Sequence, residues 1–331
     1  MEWSEIARSD DPREVLAPRA WGAFAAFQDA AWQAGPTELL ELARLRVAQL
    51  LRCPGVELSP PPGGSEVPPD KSASISSWAT SSLFDDRERA ALTFTEQFVI
   101  DVAGVTDDHR AALAGALSDT ELGPFVMGLF TSDYGLRASV AVGRLFTDGG
   151  TDPGSSPLAP PGLTGDVDGA ELAQRFEAML RTIALLDDLD PVTTELVRLR
   201  GARTHNCRIC QSTRSVAAIR SGADEGTFDK VDRYEQSDLE PSVRTALRLT
   251  DKIITQPGEI DAVLARQVRS AYSPEQTMEL VLDVLRNSSQ KIPVSLAADA
   301  PNVTEGFDYY DVDARGDVVF GQPVPAGVAG V

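Results

Sequence analysis

Two thiols three residues apart, in Cys207-Arg208-Ile209-Cys210, are the groups in this sequence best placed to do chemistry. The spacing predicts a helix over Thr194–Arg203, a short break at Thr204-His205-Asn206, and a further helix opened by the Cys-x-x-Cys. Cysteines at i and i+3 in a first turn share one face and can close a disulfide with little backbone movement. The unpaired amides and positive dipole end of a helix N-terminus favour thiolate over thiol. Such a pair can attack an electrophile with one sulfur and form a disulfide with the other. The same spacing also fits two buried small residues, or half of a metal site. Zinc asks for four ligands, whereas only Cys207, Cys210 and His205 lie close in sequence and the other histidine is His109. No metal and no cofactor are expected. Glu195, on the preceding helix, could be carried back toward the thiols by an antiparallel helix pair and act as a general base. A salt bridge with Arg198 is the plainer alternative. The arginine pairs Arg44/Arg46 and Arg198/Arg200 could bind an anion, and salt bridges account for them as well.

The elements that must position these residues form a repeat. Glu41–Cys53 (ELARLRVAQLLRC) and Glu195–Cys207 (ELVRLRGARTHNC) agree at seven of thirteen positions at an offset of 154, and Arg89–Glu96 returns as Arg244–Asp251 at an offset of 155. Two blocks in one order with nearly constant spacing argue for a duplicated domain. Apolar residues at three-to-four spacing predict helices over 89–100 and 242–255. Ser118-x-x-Glu121 and Ser273-Pro274-Glu275-Gln276 read as capping boxes, and Gly222 as a helix C-cap. Strand signals are confined to Tyr309–Val312 and Val318–Phe320 around Asp313-Ala314-Arg315-Gly316-Asp317, a candidate hairpin. The expected fold is all-α: a degenerate helical domain at 1–147, a Gly/Pro-rich linker at 148–166, a second helical domain at 167–305 carrying the thiols, and a C-terminal hairpin and tail at 306–331. A further Gly/Pro-rich loop, 54–69, interrupts the first half.

The chain of 331 residues carries 30 basic and 50 acidic side chains, a formal charge of −20. That sign repels phosphate backbones and anionic lipid, so neither nucleic acid nor a membrane is an expected partner. A hydrophobic content of 42% suits folded cores. The longest apolar stretch, around Phe125–Phe130, is too short to span a bilayer, and no signal peptide is visible. Three cysteines do not make a secreted disulfide framework. A cytoplasmic location is expected.

Glu195-x11-Cys207-x2-Cys210, followed by a helix and Gly222, resembles the alkylhydroperoxidase D / carboxymuconolactone decarboxylase superfamily, over roughly residues 170–300; the first half resembles a degenerate copy. The resemblance implies an all-α fold and reduction of a hydroperoxide by the Cys-x-x-Cys pair. A dithiol, such as a lipoylated or thioredoxin-like protein, would regenerate that pair. It further implies that Cys210 attacks the peroxide, that Cys207 resolves, and that Glu195 belongs to the proton relay. Two positions depart from the family pattern: Arg214 stands where a relay histidine is expected, and Ile209 where some peroxidases carry another. Arginine stays protonated, so Arg214 would lower the thiol pKa by charge rather than shuttle a proton. His205 would supply the missing acceptor, or else be a loop histidine that caps a helix or faces water. In the first half Glu41 and Cys53 persist, but Val56 replaces the second thiol, so that copy is expected to act as a structural partner in the place of a second subunit. Association of whole chains into a homo-oligomer is left open. The leading expectation is a peroxidase-type oxidoreductase acting on a small molecule. The alternatives are a lyase or isomerase like the decarboxylases, and a non-enzymatic helical scaffold that binds ligands or senses oxidants.

Overall fold

The computed structural model describes residues 3–6, 11–52, 67–146 and 167–323. Cys53, Val56, most of the 54–69 loop and the whole 148–166 linker lie outside these, as does the tail beyond 323. The chain is all-α with one small sheet. In the first half the helices are α1 (Trp3–Ile6), α2 (Pro12–Leu16), α3 (Pro18–Ala34), α4 (Thr37–Leu51), α5 (Pro69–Ser74), α6 (Asp86–Ile100), α7 (Asp107–Ala116) and α8 (Asp119–Phe146). In the second they are α9 (Gly169–Ala184), α10 (Pro191–Thr204), α11 (Arg208–Gln211), α12 (Val216–Arg220), α13 (Glu225–Asp229), α14 (Pro241–Thr255), α15 (Ala262–Ala271), α16 (Pro274–Ser288) and α17 (Lys291–Ser295). No helix among the described residues is long and apolar enough to cross a membrane.

Local signals set these boundaries. Ser273 caps α16 in a full capping box with Gln276, and Pro274 opens it. At α8, Glu121 reaches back to accept from the Ser118 amide at 2.9 Å. Gly222, at φ +100°, closes the turn after α12.

The repeat in sequence is a repeat in contacts. Glu41 accepts both Nε and Nη2 of Arg44 in α4, at 2.7 and 2.8 Å; Glu195 accepts the same atoms of Arg198 in α10, at 2.6 and 2.7 Å. Arg46 pairs with Glu96 at 2.7 Å, and Arg200 with Asp251 at 2.6 Å. Trp78 donates to Glu96 where Tyr234 donates to Asp251, each at 2.7 Å. A residue in the left-handed region follows both α4 and α10: Arg52 at φ +45° directly after α4, and Asn206 at φ +51° one residue beyond the His205 cap of α10. The arginine pairs are thus salt-bridged side chains.

The two halves share one continuous core. α3 packs along α9, and α8 against α16. α8 is buried almost all round from Phe125 to Phe146, as befits a helix at the centre of a molecule rather than on its surface. It carries Asp133 and Arg137, which form a buried cluster with Lys291 of α17. Asp133 accepts from Arg137 Nε at 2.6 Å and from Lys291 Nζ at 2.7 Å, and Arg137 also donates to the carbonyls of Ile253, Ile254 and Val99. Burial depresses the Lys291 pKa to about 8, against the pull of Asp133.

The sheet has three strands: β1 (Thr213–Ser215), β2 (Asp308–Val312) and β3 (Val318–Val319). β2 and β3 are the hairpin expected from sequence. β1, directly after the Cys-x-x-Cys, pairs parallel with β2 and puts Ser215 opposite Tyr310. The C-terminal hairpin is thereby held against the thiol segment.

Candidate active site

The turn after α10 places the first thiol. The amide of Cys207 donates to the Ala202 carbonyl at 3.0 Å and that of Asn206 to Arg203 at 3.2 Å, the paired bonds of a Schellman motif with asparagine in the left-handed position. Cys207 then caps α11, its Sγ accepting the Cys210 amide at 3.3 Å. Asp299, almost fully buried, fixes the next residues: its carboxylate accepts the Arg208 amide at 2.8 Å and the Arg208 guanidinium at 2.7 Å, and its carbonyl accepts the Ile209 amide at 3.1 Å. α11 lasts four residues before the chain extends into β1, so the longer helix expected after the Cys-x-x-Cys does not form there.

Both thiols are free; Cys207 is buried and Cys210 half-buried. The two side chains act on each other's ionisation. The Cys210 side chain, helped by the Cys210 amide and Arg198 and opposed by burial, lowers the Cys207 pKa. The Cys207 side chain, together with burial, pushes the Cys210 pKa far up. The pair thus favours the proton on Cys210, the sulfur that the resemblance would make the nucleophile, over Cys207.

Glu195 is buried, and its carboxylate is surrounded by donors. Besides Arg198 it accepts the Ser215 amide at 3.2 Å and the Tyr310 hydroxyl at 2.7 Å. Burial, first of all, keeps that hydroxyl protonated well beyond its usual range. Arg198 links this carboxylate to the thiols: its Nη1 donates to the Cys210 carbonyl at 2.8 Å, its Nη2 to the Thr213 carbonyl at 3.0 Å, and its guanidinium lies 5.2 Å from the Tyr310 ring centre. Glu195 thus reaches the cysteines through Arg198. In the first half, Arg44 Nη1 is buried with no hydrogen-bond partner among the described residues.

The other two residues proposed from sequence face elsewhere. Nε2 of His205 lies 3.1 Å from the Tyr134 hydroxyl and 3.2 Å from Ser288 Oγ, inside the core. Burial, with the charges of Lys291 and Arg137, drives its pKa well below the usual value, so it is a neutral core histidine. Arg214 falls on β1, not one helical turn beyond Cys210. It is clamped by Glu225 at 2.9 Å and the carbonyls of Gln211 and Thr213, with its guanidinium 3.6 Å from the Phe307 ring centre. Among the described residues no group of three or more His, Cys, Asp or Glu could hold a metal ion.

A pocket of about 340 Å³ opens onto Cys210. Leu180, Ile209, Val318 and Phe320 give it apolar walls, Tyr310 and Arg198 also line it, and Arg286 and Ser289 lie at the end of α16. The hairpin covers one side. Gly316, at φ +85°, lets its tip press onto α9, where a Cβ would sit 2.3 Å from the Arg181 carbonyl oxygen, and Asp317 pairs with the Arg181 guanidinium.

No protein-family model matches the chain, and no solved structure matches it. It is 35% identical, over 241 residues, to an uncharacterized protein of Mycobacterium tuberculosis strain H37Rv and to its counterpart in strain CDC 1551; the match covers 71% of this chain and 81% of each relative. The chain belongs to the family of these mycobacterial proteins. Neither relative's name assigns an activity, so the chemistry rests on the residues of the site itself.

Sequence reasoning missed two members of that site, Tyr310 and Asp299, and saw only part of the role of a third, Arg198. Tyr310 was legible only as a hairpin residue, because the parallel pairing that carries it to Glu195 spans about a hundred residues of sequence. Asp299 follows α17 in an irregular segment with no motif. Arg198 was visible as a partner for Glu195, but its reach to the Cys210 carbonyl depends on the break after α11.

Proposed function

We propose that the chain is a thiol-dependent oxidoreductase of the alkylhydroperoxidase type, reducing a hydroperoxide through a Cys207/Cys210 dithiol–disulfide cycle. The observation that carries this reading is a pocket with apolar walls that Cys210 lines, with Cys207 Sγ accepting the Cys210 amide at 3.3 Å. Cys207 supports the missing histidine's task. As Cys210 Sγ attacks the terminal peroxide oxygen, its proton passes to the neighbouring Cys207 thiolate. The O–O bond breaks, Cys210 becomes a sulfenic acid, and the departing alkoxide takes up the proton as alcohol. Cys207, again a thiolate, attacks the sulfenic sulfur; a disulfide forms and hydroxide leaves, becoming water on protonation. An external dithiol is oxidised to its own disulfide and returns both thiols. The net change converts hydroperoxide and dithiol to alcohol, water and disulfide. Arg198 stabilises the anion shared by the pair, and Glu195 and Tyr310 hold Arg198 in place.

The test is consumption of cumene hydroperoxide with dihydrolipoamide as reductant. Cys210→Ser is expected to lower turnover at least a hundredfold. Cys207→Ser should stop the cycle after one equivalent, leaving a sulfenic acid on Cys210 that dimedone captures. Undiminished turnover in Cys210→Ser overturns the assignment.

A further inference from the structure

The pocket on Cys210 has a polar end that the redox cycle does not use. Of the arginines lining it, Arg181 is engaged by Glu177 at 3.1 Å and by Asp317, and Arg198 by Glu195. Arg286 donates only through Nε, to the Leu180 carbonyl at 3.0 Å; neither of its terminal nitrogens makes a hydrogen bond among the described residues. Beside it Ser289 is 1% exposed, and its Oγ is buried with no partner. A buried hydroxyl left unpaired is destabilising unless something completes it, and a guanidinium with two free nitrogens matches a planar oxyanion. The nearest buried carboxyl on the same helix, Asp283, is pushed up to about 8 by burial and then by Glu279, so at neutral pH it is largely uncharged beside Arg286. The same pocket has Leu180, Ile209, Val318 and Phe320 as apolar walls.

We propose that the pocket binds an amphiphilic carboxylate, its head on Arg286 and Ser289 and its apolar body along those walls toward Cys210. Two features choose this class over a simple inorganic anion: the apolar walls would gain nothing from a hydrated ion, and the guanidinium's two free nitrogens can donate to both oxygens of a carboxylate. As the substrate class of the reaction proposed above, a carboxylated hydroperoxide rests on that reading; the experiment therefore measures occupancy without turnover.

The probe is octanoate, read as protection of Cys210 from iodoacetamide in the full-length reduced protein, with the labelled residue identified by mass spectrometry. Octanoate is expected to slow labelling of Cys210 at least tenfold at saturation, while octan-1-ol and inorganic phosphate at equal concentration give less than a twofold effect. Arg286→Gln should raise the half-protecting concentration at least tenfold, Ser289→Ala about threefold, and Arg286→Lys should keep most of the protection. Arg286→Lys retains the charge, so a loss seen in Arg286→Gln but not in Arg286→Lys is a loss of charge recognition. Equal protection by octan-1-ol, equal protection by phosphate, or unchanged protection in Arg286→Gln each overturns the proposal. A protein that binds octanoate yet consumes no peroxide would refute the redox reading and leave this one standing.

Discussion

Replacing Glu195 with glutamine separates two accounts of how the thiols are activated. Four donors converge on this carboxylate: Nε and Nη2 of Arg198, the Ser215 amide and the Tyr310 hydroxyl. Glutamine keeps the shape but replaces one oxygen with a donor that must face another donor, and it leaves the Arg198 charge uncompensated. Removing one partner of a buried ion pair costs about 3–5 kcal/mol. For a chain of 331 residues the unfolding entropy is about 0.7 kcal/mol per degree, so Tm should fall by roughly 4–7 °C. The duplication supplies a control. Glu41→Gln breaks the equivalent pair with Arg44, also buried, and should cost a similar amount of stability. The thiols distinguish the two variants. If Glu195 acts by holding Arg198, its loss leaves more net positive charge beside the cysteines, the shared thiolate is stabilised, and iodoacetamide labelling at pH 7 speeds up. Glu41→Gln should leave labelling unchanged. A folded Glu195→Gln protein whose thiols react more slowly would mean that Glu195 accepts the thiol proton itself, and would refute this ordering of roles.

Two further outcomes follow from burial and backbone geometry. The Asp283 pKa is raised to about 8, so the native state keeps a proton that the unfolded chain loses near pH 4; stability should fall as pH rises between those values and level off above pH 8. Asp283→Asn removes that dependence, and its Tm advantage over the natural chain should grow from pH 5 to pH 8, by up to about 1.4 kcal/mol per pH unit; an advantage that shrinks with pH would contradict the sign. Gly316→Ala adds a Cβ that meets the Arg181 carbonyl at a positive φ, which should lift the hairpin from α9 and raise Cys210 labelling severalfold; unchanged labelling would show that the hairpin does not restrict the pocket.

How far the sequence revealed this arrangement depended on the range of the interactions. Helices were legible because caps and apolar spacing are local: Ser273, Pro274 and Gln276 announce α16 without reference to anything distant. The duplication was legible because Glu41, Arg44 and Arg46 recur as Glu195, Arg198 and Arg200 with their contacts intact. The surroundings of the thiols were less so. His205 stands two residues from Cys207, yet the Schellman turn between them sends its ring to Tyr134 and Ser288, on helices from both halves. Arg214 is four residues from Cys210, but β1 pairing replaces the helical turn that would have aligned them. In both places one local change of backbone direction overrides proximity in sequence, and the partner that decides it lies far along the chain.

The charged cluster of Asp133, Arg137 and Lys291 has no counterpart in the repeat: at the offset of 155, Asp133 corresponds to Ser288 and Arg137 to Ile292. A symmetric dimer would be obliged to place every residue twice, so a lysine facing an aspartate across its axis would face a second such pair. Covalent linkage lifts that obligation. Each half can change alone, and the molecule has become lopsided: Asp133 and Arg137 stand in the first half and the Cys-x-x-Cys in the second.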